Sequence, residues 1–274
     1  MRGIGPLTLL IGVSLALVIG TSTGIYAQTT TLRGARVIDG RGGAPIDDAV
    51  IVMRDGRVAA IGPSAATAVP PDAQVVDYTG KTVISGLISN HSHIGIFIGL
   101  KAAPENYNRD ASLRQLRQLE AYGVTTVMAL GLNGPLLYEL RPKLHAGRVP
   151  GADLFGADKG LGVPGAFSPI GTAVADGWPF GSDSGVGLRI PGVAEHLELA
   201  LMVDAGLTPM QALNNATSNA AALLKLDDRG VLAPGKLADL VVLDADPSTD
   251  ISKSRKIHAV WTDCDVHAVS NGAD

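Results

Sequence analysis

Short β-rich runs fill both ends of the chain. Between residues 30 and 83, apolar runs alternate with turn residues, and Asp55-Gly56 separates two of the runs in AVIVMRDGRVAAIG. A tight hairpin turn needs positive φ, which Gly adopts readily, so this dipeptide predicts a β-hairpin. Residues 238–269 have the same character, with a turn predicted at residues 263–265. Since neither end has enough strands to bury both faces, the two ends predict one shared β-sandwich.

The middle of the chain, residues 86–226, has a different period. Leu113, Leu116 and Leu119 fall on one face of a predicted helix, and the apolar run VTTVMAL follows it. Further on, the sequence TPMQ forms a T-x-x-Q capping box with Pro at the first helical position, which predicts a helix running on through NNATSNAAALL. Strands that alternate with helices predict a mainly parallel sheet.

The length of this middle region limits the number of strand-and-helix units. A complete (β/α)8 barrel takes about 250 residues and each unit roughly 30, so the region holds about four units. We expect their strands near residues 83–90, 124–130, 152–157 and 178–182. The predicted fold class is therefore α/β: a partial TIM-type (β/α) barrel, about four of eight units, plus a small β-sandwich formed by both chain ends.

These patterns divide the chain into three parts. Residues 28–85 and 233–274 form the composite sandwich, and residues 86–232 form the incomplete barrel. Residues 1–27 read as a signal peptide, with Arg2, an apolar run and small residues before Ala27. The alternative is an uncleaved membrane anchor, but the run is shorter than the roughly 20 residues of a spanning helix. We therefore expect cleavage, a periplasmic or secreted location and no stable membrane span afterwards.

Composition narrows the possible partners. The formal net charge is −4, and lysines and arginines are scattered without a basic run. A chain of this kind has nothing to neutralise a phosphate backbone, so nucleic acid is excluded as an expected partner. Cys264 is the single cysteine, so an internal disulfide cannot form in an oxidising compartment. Stability must therefore come from packing or from metal binding.

The sharpest chemical feature is the apolar run KTVISGLISNHSH, which ends in His91 and His93. Residues two apart on a strand point to the same face, so both imidazoles can reach one cation. The alternative is a pair of solvated loop histidines.

Four stretches in order carry a resemblance to a known family: DGRVAAIG, GKTVISGLISNHSH, FGSDSGV and LTPMQALNNATSNAAALLKLDDRGVLAPGKLADLVVLDADP. Together they resemble the metal-dependent amidohydrolase superfamily, nearest its imidazolonepropionase-like and prolidase-like members. The resemblance implies that His91 and His93 are metal ligands at the end of the first barrel strand. It also implies that Asp183, at the end of the last strand, is a metal ligand and the catalytic proton shuttle. The expected activity is hydrolysis of C–N bonds in a small-molecule amide, peptide or cyclic amide.

The chain also departs from the family pattern. Ser85 and Ser89 stand where the family usually has Pro and Asp. More seriously, a bridging carboxylated lysine and two further histidines have no room between residues 158 and 176, so the middle of the barrel is missing. Lys159 does not match that lysine. His145 and His196 lie in predicted helices, where solvation or core packing is the expected role.

The surviving ligands set the expected cofactor and activity. His91, His93 and Asp183 would satisfy one zinc ion, or another divalent transition metal, with water in the fourth position. We expect at most one metal per chain and weak activity, because most loops that would orient a substrate are absent. The alternatives are a non-catalytic exported binding protein and a non-functional deletion product. The open barrel edge also predicts self-association, because exposed strand edges pair with other chains.

Overall fold

The computed structural model describes residues 29–98, 101–130, 133–156, 181–186 and 188–268. The predicted signal peptide and Lys159 lie outside these residues. The described part is a mixed α/β structure. None of its helices is long and apolar enough to cross a lipid bilayer.

Thirteen strands and five α-helices make up the described part. The strands are β1 (Thr30–Ile38), β2 (Ile46–Arg54), β3 (Arg57–Pro63), β4 (Gln74–Asp77), β5 (Thr82–Ser85), β6 (Leu87–Ser92), β7 (Phe97–Ile98), β8 (Lys101–Ala102), β9 (Val124–Ala129), β10 (Asp153–Gly156), β11 (Leu240–Leu243), β12 (Ile257–Thr262) and β13 (Asp265–Ala268). The helices are α1 (Arg109–Ala121), α2 (Pro135–Leu144), α3 (Val193–Asp204), α4 (Pro209–Asn215) and α5 (Ser218–Leu224). Two 3-10 turns lie at Pro104–Asn106 and Ile251–Arg255.

Both ends of the chain join in one eight-stranded sheet. Its order is β13-β12-β11-β5-β1-β2-β3, with β4 also paired to β1. The two ends meet where β5 pairs antiparallel with β11, from Thr82 opposite Leu243 to Ser85 opposite Leu240. The indole N–H of Trp261 also donates to the hydroxyl of Tyr78 at 3.1 Å. The two ends therefore depend on each other for strand pairing.

Two tight turns in this sheet follow the predicted chemistry. Asp55 and Gly56 have φ of 53° and 71°, and they connect the antiparallel strands β2 and β3. Asp263 and Cys264 have φ of 51° and 64° between β12 and β13. Positive φ at both central residues matches the right-handed twist of a hairpin, so both predicted turns are present.

The middle of the chain forms a parallel sheet of order β10-β9-β6. Helix α1 connects β6 to β9, and α2 connects β9 to β10. On the other side of β6, Ser92 forms a parallel bridge with Ser184. The segment 181–186 therefore lies beside β6 as a fourth parallel element. The spatial order of the parallel elements is therefore β10, β9, β6 and the segment 181–186.

The single strand predicted at residues 83–90 is wrong, because the chain changes sheets there. β5 belongs to the eight-stranded sheet and β6 to the parallel sheet, with Gly86 between them. The Gly86 amide donates to the Asp239 carbonyl at 2.9 Å, while the Leu87 amide donates to the Gly123 carbonyl at 2.9 Å. A Cβ at Gly86 would lie 2.2 Å from the hydroxyl of Thr125, so only glycine fits at the crossing.

The helix predicted to begin at the TPMQ capping box is interrupted. The box itself is present, since the Thr208 amide donates to Gln211 Oε1 at 2.8 Å. The helix ends after Asn215, because the Ala216 carbonyl accepts the Ile88 amide at 2.8 Å and Thr217 leaves helical geometry with ψ of −93°. Helix α5 then begins, so bonding to β6 overrides the local helix propensity.

One hydrophobic core crosses the predicted boundary between sandwich and barrel. It contains Leu87, Leu116 and Leu154 from the α/β region together with Val241 and Val260 from the eight-stranded sheet. A second core fills the other side of that sheet, around Leu32, Met53, Leu240 and Trp261. The boundary at residues 85 and 86 is thus a change of sheet within continuous packing.

A buried arginine ties the returning chain to the parallel strands. Arg229 Nη1 lies 2.7 Å from Asp153 Oδ2 at the start of β10 and donates to the Thr126 hydroxyl of β9 at 3.0 Å. Its Nε also pairs with Asp228 at 2.9 Å. Because a buried guanidinium needs such partners, this pairing fixes the chain where it re-enters the eight-stranded sheet.

His196 is a core residue of α3, as its position on an apolar helical face predicts. It is 3% exposed. Its Nδ1 lies 2.9 Å from Ser254 Oγ and its Nε2 lies 2.9 Å from the Tyr122 carbonyl oxygen. Burial lowers the pKa of His196 to about 4. The ring therefore stays neutral in the fold and joins α3 to α1 and the second 3-10 turn.

This lowered pKa predicts how stability depends on pH. The unfolded chain protonates His196 near pH 6.5, whereas the folded chain does not do so until about pH 4, so stability from the neutral ring falls as pH decreases through this window. Between pH 7 and pH 5 we expect the wild type to lose about 2 kcal/mol relative to His196→Gln. Urea unfolding of both proteins at each pH measures the difference. A constant difference across the range would contradict the buried neutral ring.

The junction between the chain ends predicts a second stability effect. Leu240 is fully buried between β5 and β12. Leu240→Ala should lower the free energy of unfolding by about 2–5 kcal/mol, because it removes apolar contacts and leaves a cavity. Val266→Ala is the control, since Val266 lies in the neighbouring β13 and is 52% exposed. A loss of less than about 1 kcal/mol for Leu240→Ala would argue against a hydrophobic core shared by the two ends of the chain.

Candidate metal centre

Two backbone hydrogen bonds place the candidate ligands side by side. The Asp183 amide donates to the His91 carbonyl at 3.0 Å, and the His93 amide donates to the Ser184 carbonyl at 2.8 Å. His91 lies in β6, and His93 follows its last residue. The segment that carries Asp183 thus runs along the end of the histidine strand, as adjacent parallel strands do.

Glycines on both sides of Asp183 make this close approach possible. A Cβ at Gly181 would lie 2.8 Å from the His91 amide nitrogen, and one at Gly185 would lie 2.1 Å from the His93 carbonyl oxygen. Asp183 itself has φ of 54°, which L-residues adopt rarely and Asp more readily than most. The glycines in FGSDSG therefore serve the approach of two backbones, and the unusual φ directs the carboxylate toward the histidines.

The three predicted ligands converge on one point. His93 Nε2 lies 3.0 Å and His91 Nε2 lies 3.4 Å from Asp183 Oδ1. One ligand atom from each residue lies within 4.8 Å of the other two. Zinc bonds of about 2.0–2.2 Å in a tetrahedron place ligand atoms roughly 3.3 Å apart. The spacing and the mixed nitrogen and oxygen donors therefore fit a single zinc ion.

An unsatisfied buried oxygen also fits a metal ion at this position. Asp183 Oδ1 is buried and makes no aligned hydrogen bond within the described residues, even though His93 Nε2 lies 3.0 Å away. Buried polar atoms are nearly always satisfied by protein, water or an ion. Burial lowers the pKa of His93 despite the opposing charge of Asp183. This favours the neutral imidazole, which is the form that binds metal.

The site is open on one side. The His91 side chain is 39% exposed, whereas those of His93 and Asp183 are 18% and 21% exposed. Arg189 lies at this rim, and its Nη1 donates to Asp183 Oδ2. The arginine leaves the other carboxylate oxygen, Oδ1, facing the histidines.

A buried and a partly buried glutamate of α3 lie behind the site, and the sequence motifs did not identify them. Glu195 accepts hydrogen bonds from the Ser182 hydroxyl at 2.9 Å and the Gly192 amide at 2.6 Å. Glu198 accepts from the Gly181 amide at 3.0 Å, and burial raises the pKa of Glu198 to about 7. The available signal was the pair of acidic residues in the otherwise apolar run VAEHLELALM.

The remaining histidines lie away from the candidate ligands. His145 Nε2 lies 3.0 Å from Asp153 Oδ1 at the start of β10. His258 pairs with Asp244 and His267 lies near Glu120, both in the eight-stranded sheet region. Within the described part of the chain, one group of three or more His, Cys, Asp or Glu residues is close enough together to hold a metal ion. It consists of His91, His93 and Asp183.

Sequence comparisons relate the chain to known proteins. The model of the amidohydrolase family matches residues 166–270. An imidazolonepropionase of Pyrobaculum arsenaticum is 56% identical over 48 residues, 18% of this chain and 12% of that protein. An imidazolonepropionase of Deinococcus deserti is 40% identical over 97 residues, 34% and 23% of the two chains. An adenine deaminase of Lysinibacillus sphaericus is 47% identical over 66 residues, 24% and 10%. Each match spans less than a quarter of the relative's length.

Solved structures show the same fold. A Xaa-Pro dipeptidase with bound methionine superimposes with a TM-score of 0.73 at 16% identity, over 88% of this chain and 100% of that one. Molinate hydrolase superimposes with a TM-score of 0.72 at 16% identity, over 88% and 95%. The resemblance predicted from the sequence motifs is therefore confirmed, and the chain is related in sequence and in fold to the amidohydrolases.

Proposed function

We propose that this chain binds one divalent transition metal, zinc, through His91, His93 and Asp183, and that it is a metal-dependent hydrolase of C–N bonds in small amides, peptides or cyclic amides. The observation that carries the proposal is that His93 Nε2 and His91 Nε2 both lie close to one carboxylate oxygen, Asp183 Oδ1, at 3.0 Å and 3.4 Å. The imidazolonepropionase and adenine deaminase relatives support the class of bond.

We assign the residues of the site different roles in hydrolysis. Zinc, when bound, supplies Lewis acidity and lowers the pKa of a water ligand. His91 and His93 offer Nε2 as donors, and Asp183 offers Oδ1. In this proposal the Asp183 carboxylate also accepts a proton from the attacking water and returns it to the leaving nitrogen. Arg189 orients this carboxylate through Oδ2.

We propose that the parallel sheet is what remains of a (β/α)8 barrel, and that the eight-stranded sheet built by both chain ends supports it in the place of the predicted sandwich. The order β10-β9-β6 with the segment 181–186 beyond β6 supports this. Residues 157–180 are fewer than the roughly 30 residues of one strand-and-helix unit, so the sequence has no room there for the other four units of a complete barrel. The walls that those units would build are absent as well, so the pocket orients a substrate poorly and hydrolysis is slow.

We also propose that the protein is exported and that it associates with itself. Export is proposed because residues 1–27 have the sequence pattern of a signal peptide. Self-association through the incomplete barrel is supported by an apolar stripe on α3, where Val193, Leu197 and Leu201 are 38%, 50% and 56% exposed at i, i+4 and i+8. Exposed apolar surface of this kind favours contact with another chain.

Metal binding provides the direct test of the site. We expect one zinc per chain in metal analysis and in titration of the metal-free protein against a competing chelator. His91→Ala should weaken binding by more than about 100-fold, since loss of an outer-shell partner alone costs about 10- to 100-fold. His258→Ala is the matched control, because this histidine is similarly exposed and pairs with Asp244 in the other sheet. Two metals per chain at full occupancy would show that further ligands exist.

Turnover tests the claim of an incomplete pocket. Substrate positioning is worth as much as about 7–11 kcal/mol of barrier, so we expect hydrolysis of dipeptides, acylated amino acids and lactones to be weak or undetectable. A rate near the typical enzymatic value of about 10 per second, abolished by Asp183→Asn, would contradict the incomplete pocket. Zinc binding with no hydrolysis of any substrate would favour the alternative of a non-catalytic exported binding protein.

A further inference from the structure

Glu195 caps the start of its helix through one carboxylate oxygen, and the other oxygen makes contacts outside the helix. It lies in the first turn of α3 and is fully buried. A carboxylate is expensive to bury unless hydrogen bonds compensate the lost hydration. Capping the Gly192 amide occupies Oε2, so the role of the remaining oxygen, Oε1, must be found outside the helix.

The carboxylate connects both elements of the metal centre to α3. Its Oε1 accepts from the hydroxyl of Ser182, next to Asp183, at 2.9 Å, and from the hydroxyl of Ser89, in the histidine strand, at 3.4 Å. Its Oε2 accepts from the Gly192 amide at 2.6 Å. One side chain therefore holds the segment before Asp183, the strand before His91 and the start of α3.

Three buried serines close this network on the other side of Asp183. Ser89 Oγ lies 3.1 Å from Ser92 Oγ, which lies 3.0 Å from Ser184 Oγ. All three serines are fully buried. Because Glu195 as a carboxylate only accepts, Ser89 donates to it and must accept from Ser92. Asp183 is thus held through its neighbours Ser182 and Ser184, each linked to the histidine strand.

We propose that Glu195 is a positioning residue that sets the spacing between Asp183 and the two histidines, an inference that rests on the proposed zinc site. It touches neither the ligand atoms nor a substrate. It acts by fixing the backbone of residues 182–184 against β6, on which the 3.0 Å and 3.4 Å spacings depend. Residues that orient metal ligands in this way tune affinity for the metal.

The test compares three variants of the full chain. Glu195→Gln keeps the shape, but with its oxygen still accepting from the Gly192 amide it presents an N–H₂ donor to the Ser182 and Ser89 hydroxyls, which must then accept instead of donate. Ser182→Ala removes one arm of the network and leaves Glu195 in place. Glu120→Gln is the matched control, since Glu120 is also a buried helical glutamate, 5% exposed, and lies near His267 away from the metal centre. Zinc affinity and amide hydrogen exchange of the metal-free chain are measured for each.

We expect Glu195→Gln to weaken zinc binding by about 10- to 100-fold and Ser182→Ala to weaken it less, with Glu120→Gln unchanged. In the metal-free chain, the amides of Asp183 and His93 should exchange faster in Glu195→Gln, while those of β9 keep their protection. Wild-type affinity and exchange in a folded Glu195→Gln would overturn the proposal, as would an equal loss in Glu120→Gln. If Glu195→Gln does not fold, Ser182→Ala decides between the same two outcomes.

The two readouts also separate this inference from the proposed function. If the wild-type chain binds no zinc, the zinc site is wrong, yet exchange at Asp183 and His93 still reports whether Glu195 fixes the two elements together. Faster exchange in Glu195→Gln then supports the positioning role, and unchanged exchange overturns it.

Discussion

Two backbone hydrogen bonds, from Asp183 to the His91 carbonyl and from His93 to the Ser184 carbonyl, hold the segment with the candidate carboxylate against the histidine strand. The ligands are about 90 residues apart in sequence, so no local pattern could bring them together. Neighbouring parallel strands do so, because their carboxyl ends meet at one edge of the sheet. In a closed barrel the first and last strands are neighbours in the same way as β6 and the segment 181–186 are here.

The pairing in turn depends on a platform that the chain ends build. β5 pairs with β11, so the beginning and end of the chain lie side by side in one sheet. At Gly86 the chain passes directly from that sheet into the histidine strand, and a continuous core lies beneath both. Burial of apolar surface in this core stabilises the region by about 25 cal/mol per Å². The histidine strand therefore starts from a fixed position.

Much of this arrangement could be predicted from the sequence, and the exceptions share a physical cause. The Asp55-Gly56 hairpin and the TPMQ capping box depend on local backbone geometry, which residue types report directly. The change of sheet at Gly86 and the end of α4 at Ala216 depend on partners distant in sequence, and they were not predicted. Glu195 was not predicted either, and one of its partners, Ser89, is likewise distant in sequence. His91, His93 and Asp183 were identified through family resemblance, since spacing alone supports only the two histidines.

The coordination of bound zinc tests the three-ligand site most directly. X-ray absorption at the zinc edge of the loaded chain should show four nitrogen or oxygen ligands at about 2.0–2.2 Å, with outer-shell scattering from two imidazoles. His91→Ala should remove one imidazole from that signal. A spectrum without imidazole scattering, or one with a sulfur ligand near 2.3 Å, would contradict the site formed by His91, His93 and Asp183.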